Sequence, residues 1–204
     1  MIHRTTHKFL LPLVILLTVL TGMAEAKYFR YVVIDPGHGG HDRGGHDGKV
    51  YEKHLALDTA LRLEYLLKQR GIRTKMTRRS DVFISLPGRV AFGKRYSKSI
   101  FVSIHFNHAW RKEASGLETF YYGAEGKKLA NYVQQGITSK LRTPNRGAKF
   151  ARFYVIRNAT NPAILVEGGF VSNKRERERM KKAWFRQSLA EGIAEGIVKY
   201  KRSW

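Results

Sequence analysis

Ala163-Ile164-Leu165-Val166 is a run of four apolar residues that stops at an ionisable group, Glu167. A strand of that composition has no polar face to give to water. It fits the interior of a sheet covered on both sides, the usual environment of parallel strands joined by helical crossovers. The remainder of the chain supplies such crossovers. Strand-like runs at 31–34, 72–76, 100–104, 116–122 and 153–156 alternate with helical patterns at 52–69, 85–98 and 124–141. A closing helix repeats Leu189, Ile193, Ile197 and Tyr200 on one side. This alternation predicts an α/β fold: a single three-layer domain with a central, mostly parallel twisted sheet of about six strands flanked by helices.

A length of 204 residues asks for one domain and no more. The first 26 residues are set apart from it. Arg4 and Lys8 precede an uncharged run from Phe9 to Leu20, and Ala24-Glu25-Ala26 offers the small residues of a cleavage site. We therefore expect a signal peptide at 1–26, a single folded domain at 27–204, and no stable membrane anchor after the leader is cut. The apolar run is short for a bilayer span and contains Pro12. Export permits disulfides, yet the chain has no cysteine, so packing and any bound metal must hold the fold, and a thiolate zinc site is excluded. The net charge of +22 calls for an anionic partner. For an exported monomer, with the periplasm as the expected compartment, that partner is envelope polymer rather than nucleic acid.

The residues that carry chemistry stand at the ends of these elements. His38 follows the first strand in Asp35-Pro36-Gly37-His38-Gly39-Gly40, His105 closes the strand at 100–104, and Glu52 opens the first helix. In an open α/β sheet the crevice beyond the carboxyl ends of the strands is where ligands bind. Two imidazoles and a carboxylate are also a common donor set of a catalytic zinc, which keeps its fourth position for water. His38, Glu52 and His105 are accordingly the expected metal ligands, with Zn2+ as the cofactor. On ligand chemistry alone His108 competes with His105, whereas His41, His46 and His54 are expected to be ordinary histidines. Glu52 could equally be a carboxylate favoured at a helix start. Glu167, held in apolar company, needs a metal, a hydrogen bond or a salt bridge to persist, and Arg89 and Arg157 are the candidate partners for the last. The run Lys174-Arg175-Glu176-Arg177-Glu178-Arg179 mixes signs at helical spacing and reads as a solvated face.

Taken together these segments resemble the zinc-dependent N-acetylmuramoyl-L-alanine amidases of the type-3 family, which hydrolyse the bacterial cell wall. Asp35-Pro36-Gly37-His38-Gly39-Gly40 is similar to the family's first ligand motif, Glu52-Lys53 to its glutamate ligand, and Ser103-Ile104-His105-Phe106-Asn107 to its second histidine motif. Thr77-Arg78, Asp81, Leu86 and Arg89 resemble an arginine-bearing loop and helix, and Asn145-Arg146-Gly147 an internal signature. Val166-Glu167-Gly168-Gly169-Phe170-Val171-Ser172-Asn173 is similar to the segment with the catalytic glutamate. The resemblance implies hydrolysis of the amide between the lactyl group of N-acetylmuramic acid and L-alanine in peptidoglycan, with Glu167 as the proton-transfer group. Asp42-Arg43-Gly44-Gly45 departs from the family pattern, and His108 stands where a small residue is common. Only 61 residues separate His105 from Glu167, with no room for the plugging helix that some members insert there. A zinc carboxypeptidase acting on stem peptides, or a non-catalytic protein that binds anionic envelope polymer, are the alternatives.

Overall fold

The computed structural model describes residues 29–203. The expected leader at 1–26 lies outside them. Eight strands and six helices follow one another as β1 (Tyr31–Pro36), β2 (His46–Asp47), β3 (Val50–Tyr51), α1 (Glu52–Gln69), β4 (Arg73–Met76), α2 (Leu86–Lys94), β5 (Ser99–Asn107), β6 (Leu117–Tyr121), α3 (Ala124–Lys140), β7 (Asn145–Phe150), α4 (Tyr154–Arg157), β8 (Ala163–Phe170), α5 (Lys174–Met180) and α6 (Ala183–Arg202). Six strands form one sheet in the order β4-β1-β5-β8-β6-β7, while β2 and β3 make a small antiparallel hairpin. β1 pairs in parallel with β4 and β5, and β5 with β8. β6 alone runs against its neighbour β8, and it pairs in parallel with β7. The C-terminal ends of β1, β5 and β8 therefore share one edge of the sheet with the N-terminal ends of β6 and β7.

Alternation along the strands sorts the core into two layers, as the pleat requires. Val32 and Ile34 of β1, Val102 and Ile104 of β5, and Ile164 and Val166 of β8 face a large cluster with Leu63 and Leu67 of α1, Leu129 and Val133 of α3, and Leu189 and Ile193 of α6. Val33, Phe101 and Leu165 face the other way, onto Val90 of α2 and Val155 and Ile156 of α4. β8 is buried at all eight positions, which is the environment its aliphatic run requires. α3 and α6 approach closely because glycines meet at their crossing. A Cβ at Gly136 would lie 2.1 Å from the Gly192 carbonyl oxygen, and one at Gly192 would lie 2.6 Å from Ile137 Cα.

Three sequence expectations change. The run at 153–156 is the short helix α4, not a strand: its Val155 and Ile156 are buried against β8, and four apolar residues by themselves do not distinguish the two periodicities. The sixth strand is β7, in a segment whose Asn145-Arg146-Gly147 reads as a break. β7 lies at the sheet edge, where a strand needs only one partner and tolerates polar residues. α2 also ends at Lys94, four residues before the expected boundary, and Lys98 takes a positive φ of 54° at the turn into β5. Substituting Gly192→Ala is expected to force α3 and α6 apart and lower stability by roughly 1–3 kcal/mol, read from the urea midpoint at unchanged m-value.

Candidate metal centre

The loop after β1 is shaped by two buried arginines. Arg89 on α2 pairs with Asp35 at 2.7 Å and donates to the carbonyls of Pro36 and His38, both at 2.6 Å. Arg78 donates to the carbonyls of Pro36 (3.0 Å), Gly37 (2.6 Å) and Lys53 (2.9 Å). Asp35 is also held by Thr77 and Ser103 hydroxyls. These bonds fix His38 at a φ of +57°, a left-handed conformation that a histidine adopts only when its surroundings dictate it. The imidazole is thereby turned toward the start of α1.

There Glu52 lies between the two rings. Its Oε1 stands 3.0 Å from His38 Nε2 and 2.8 Å from His105 Nδ1, and it also accepts the Phe106 N–H at 3.0 Å. Its Oε2 accepts the Gly45 N–H at 2.7 Å. One ligand atom from each of the three residues falls within 4.8 Å of the others. In a tetrahedral zinc site such atoms stand about 3.3 Å apart, so small adjustments accommodate an ion. His38 Nδ1 is bonded to Asp42 at 2.9 Å, which leaves Nε2 as the ligating atom, and carboxylate-backed imidazoles of this kind are usual round metals. The cradle is also free of side chains: a Cβ at Gly37 would stand 2.3 Å from the His105 ring, and one at Gly44 would stand 2.6 Å from both Glu52 Oε2 and His38 Cδ2. The donor set and its surroundings fit a catalytic divalent ion.

The electrostatics separate two carboxylates. Burial alone would raise the pKa of Glu52, but hydrogen bonds and charge from His105 and His38 outweigh it and hold the group far below the usual carboxylate range. Glu167 moves the opposite way: burial, then the charges of Glu52 and Glu118, push it well above its ordinary value. Glu167 is the parallel-register partner of His105 and the antiparallel partner of Glu118. Its Oε2 is buried and has no hydrogen-bond partner among the described residues. Neither candidate salt bridge forms, because Arg89 is committed to Asp35 and Arg157 is exposed on α4. A buried carboxylate oxygen left unpaired on the strand next to His105 lowers stability rather than adding to it.

Three of the expected site residues, His38, Glu52 and His105, thus come together at the expected end of the sheet, and Glu167 lies on the neighbouring strand as the register partner of His105. The competing histidines go elsewhere: His41 stacks on Phe83, His46 Nδ1 meets the Gly44 carbonyl oxygen, His54 faces Asp81, and His108 is exposed and outside the ligand group. The sequence reading missed Asp42 as the support of His38, although its spacing of four residues was a usable signal. The charged run at 174–179 is also corrected. It forms α5, but Glu176 is buried and accepts the Gly116 and Phe170 N–H groups, and Arg177 bonds the Val171 carbonyl. These bonds brace the segment after Glu167, while Lys174, Arg175 and Glu178 keep the solvated face that the sequence suggested.

Comparison with known proteins follows the same line. Residues 32–199 match the family model described as N-acetylmuramoyl-L-alanine amidase. The chain is 32% identical over 188 residues to the germination-specific N-acetylmuramoyl-L-alanine amidase of Bacillus subtilis, covering 84% of this chain and 79% of that protein. It is 35% identical over 175 residues to the amidase LytC of the same organism, where it spans 84% of this chain and 35% of that longer protein. It also superposes on the catalytic domain of CwlV, an N-acetylmuramoyl-L-alanine amidase from Bacillus (Paenibacillus) polymyxa, with a TM-score of 0.82 and 36% identity, over 84% of this chain and 98% of that one. Arg89→Met is expected to leave Asp35 buried and unpaired and to cost about 3–5 kcal/mol in urea unfolding, whereas Arg157→Met should stay within about 0.5 kcal/mol of wild type.

Proposed function

The chain belongs to the N-acetylmuramoyl-L-alanine amidase family, and from that membership we infer a zinc-dependent hydrolysis at His38, Glu52 and His105 with Glu167 as the catalytic residue. The reaction is cleavage of the amide between the lactyl carbonyl of N-acetylmuramic acid and the nitrogen of L-alanine in peptidoglycan. The two imidazoles and Glu52 would hold a divalent ion, which when bound would supply Lewis acidity at the amide carbonyl. Zinc is favoured by the donor set, two imidazoles and one carboxylate without thiolates.

The side chains carry the rest. Glu167 removes a proton from water as its oxygen adds to the lactyl carbonyl carbon, and returns that proton to the alanine nitrogen as the carbon–nitrogen bond breaks. A carboxylate whose proton affinity burial has raised suits both halves of this exchange, since it can hold the proton between the steps. The single observation that carries the assignment is the buried, unpartnered Oε2 of Glu167 in register with His105. All four side chains come from one chain, so a monomer suffices. The segments between His105 and Glu167 form β6, α3, β7 and α4, each in the sheet or packed on it, which supports a site open without an activator. The substrate and the net charge of +22 suit an exported enzyme of the periplasm working among anionic envelope polymers.

Glu167→Gln is expected to lose about 10²–10⁴-fold in turnover of a defined muropeptide while retaining stoichiometric zinc, measured by mass spectrometry of products beside metal analysis. Full turnover would move the role elsewhere, and release of C-terminal D-alanine instead of an N-terminal alanine peptide would mark a carboxypeptidase. His38→Ala and His105→Ala should purify without zinc and His108→Ala with it. Asp42→Asn should bind zinc about 10–100-fold more weakly, by competition with a chromogenic chelator.

A further inference from the structure

Beside Glu167, on the strands away from the two histidines, lies a second charged group that the reaction as described does not use. Glu118 is 3% exposed. Its Oε1 accepts Asn107 Nδ2 at 2.7 Å, and its Oε2 accepts both Arg146 Nε at 2.9 Å and Lys149 Nζ at 2.6 Å. We propose that Arg146 and Lys149, braced on Glu118, form a subsite that receives a free carboxylate of the peptide leaving from the scissile amide. The proposal rests on the amidase reading and deepens it.

Three observations carry it. The first is a break in register. Leu117 pairs with Asn145 but Glu118 pairs with Gly147, so Arg146 is an extra residue in a parallel pair. Bulges are rare between parallel strands, and beside active sites they serve to re-aim a side chain. Arg146 is so aimed. Its stem crosses Gly116, where a Cβ would stand 2.7 Å from Arg146 Cγ, and its guanidinium lies 5.1 Å from the ring centre of Phe170, three residues beyond Glu167.

The second is charge. Two cations meet one buried carboxylate, which leaves a surplus positive charge, and both remain open to solvent at 38% and 40% side-chain exposure. The nearby carboxylate of Glu176 is turned to the N–H groups of Gly116 and Phe170. Neutralising Glu118 alone would need a single partner. Arg146 spends Nε on Glu118 and reaches the Ser115 carbonyl only weakly, at 3.4 Å, so the outer edge of its fork is available to a planar anion.

The third is the chemistry of the substrate. N-acetylmuramic acid linked through its lactyl carbonyl offers neutral hydroxyl and acetamido groups, whereas the stem peptide bears free carboxylates. A positive site on the β6–β7 side of Glu167 therefore fixes the direction of the substrate, with the departing peptide over these strands. Glu118 then acts as a positioning residue that holds the two cations in place.

The test uses two muropeptides that differ only in the second stem residue, which carries either a free α-carboxylate or its carboxamide. Wild type is expected to favour the carboxylate by about tenfold or more in kcat/KM, the scale of one charge-assisted hydrogen bond. That ratio should fall toward one in Arg146→Ala, fall partly in Lys149→Met, and recover in part in Arg146→Lys. Lys149 lies on the exposed edge strand, so its variant stays informative if Arg146→Ala folds poorly. A wild-type ratio near one, or a ratio unchanged in folded, zinc-loaded variants, overturns the subsite and leaves the amidase reading intact. Release of an alanine-terminated peptide from neither substrate overturns both.

Discussion

The buried pair of Asp35 and Arg89 is the constraint on which the site depends. Asp35 is fully buried at the end of β1, and an uncompensated charge there would be untenable. Arg89 meets it and uses its remaining N–H groups, with those of Arg78, to hold three successive carbonyls of the loop at 36–38. The loop is thereby fixed in a conformation that a histidine would not choose. His38 reaches Glu52 and Asp42 at once because its backbone is pinned from behind, so α2 and the turn after β4 are as much a part of the centre as the ligands are.

From this frame follow two carboxylates of opposite character, a few residues from their strand or helix ends. Glu52 gathers two imidazoles and two backbone N–H groups, and stays charged. Glu167 sits on the strand next to His105 with an oxygen that has no hydrogen-bond partner among the described residues, is buried and repelled by Glu52 and Glu118, and keeps its proton more firmly. The same functional group is thus held charged in one place and inclined to keep its proton in the other, the contrast that the proposed roles of metal ligand and proton carrier require. The glycines at 37 and 44 are part of that environment, since any side chain there would collide with His105, His38 or Glu52.

Much of this was legible in the chain. The long amphipathic α1 was placed to the residue, Glu52–Gln69, because eighteen residues of helical period with Gly71 just beyond leave little choice. β1, β5 and β8 were found through their aliphatic runs, and His38, His105 and Glu167 through the place where each run stops. The edge strand β7 was not, since a polar strand with one partner carries no alternation strong enough to read. The helix α4 was mistaken for a strand because four apolar residues fit either period. Asp42 and Glu176 were missed for a different reason: Asp42 meets His38 only through the turn between them, and Glu176 meets Gly116 across sixty positions of sequence.

Residue order by itself determined the α/β class, the candidate metal donors and the family they resemble, because these follow from hydrophobic period and from which groups can bind an ion. Only the tertiary structure decided which histidines face Glu52, that Glu167 Oε2 has no hydrogen-bond partner among the described residues, that α5 braces the strand behind it, and that a bulge turns Arg146 toward Glu118. Those outcomes depend on the pairing and register of strands far apart in the chain. A shift of one residue in any of them would send each side chain to the other face of the sheet.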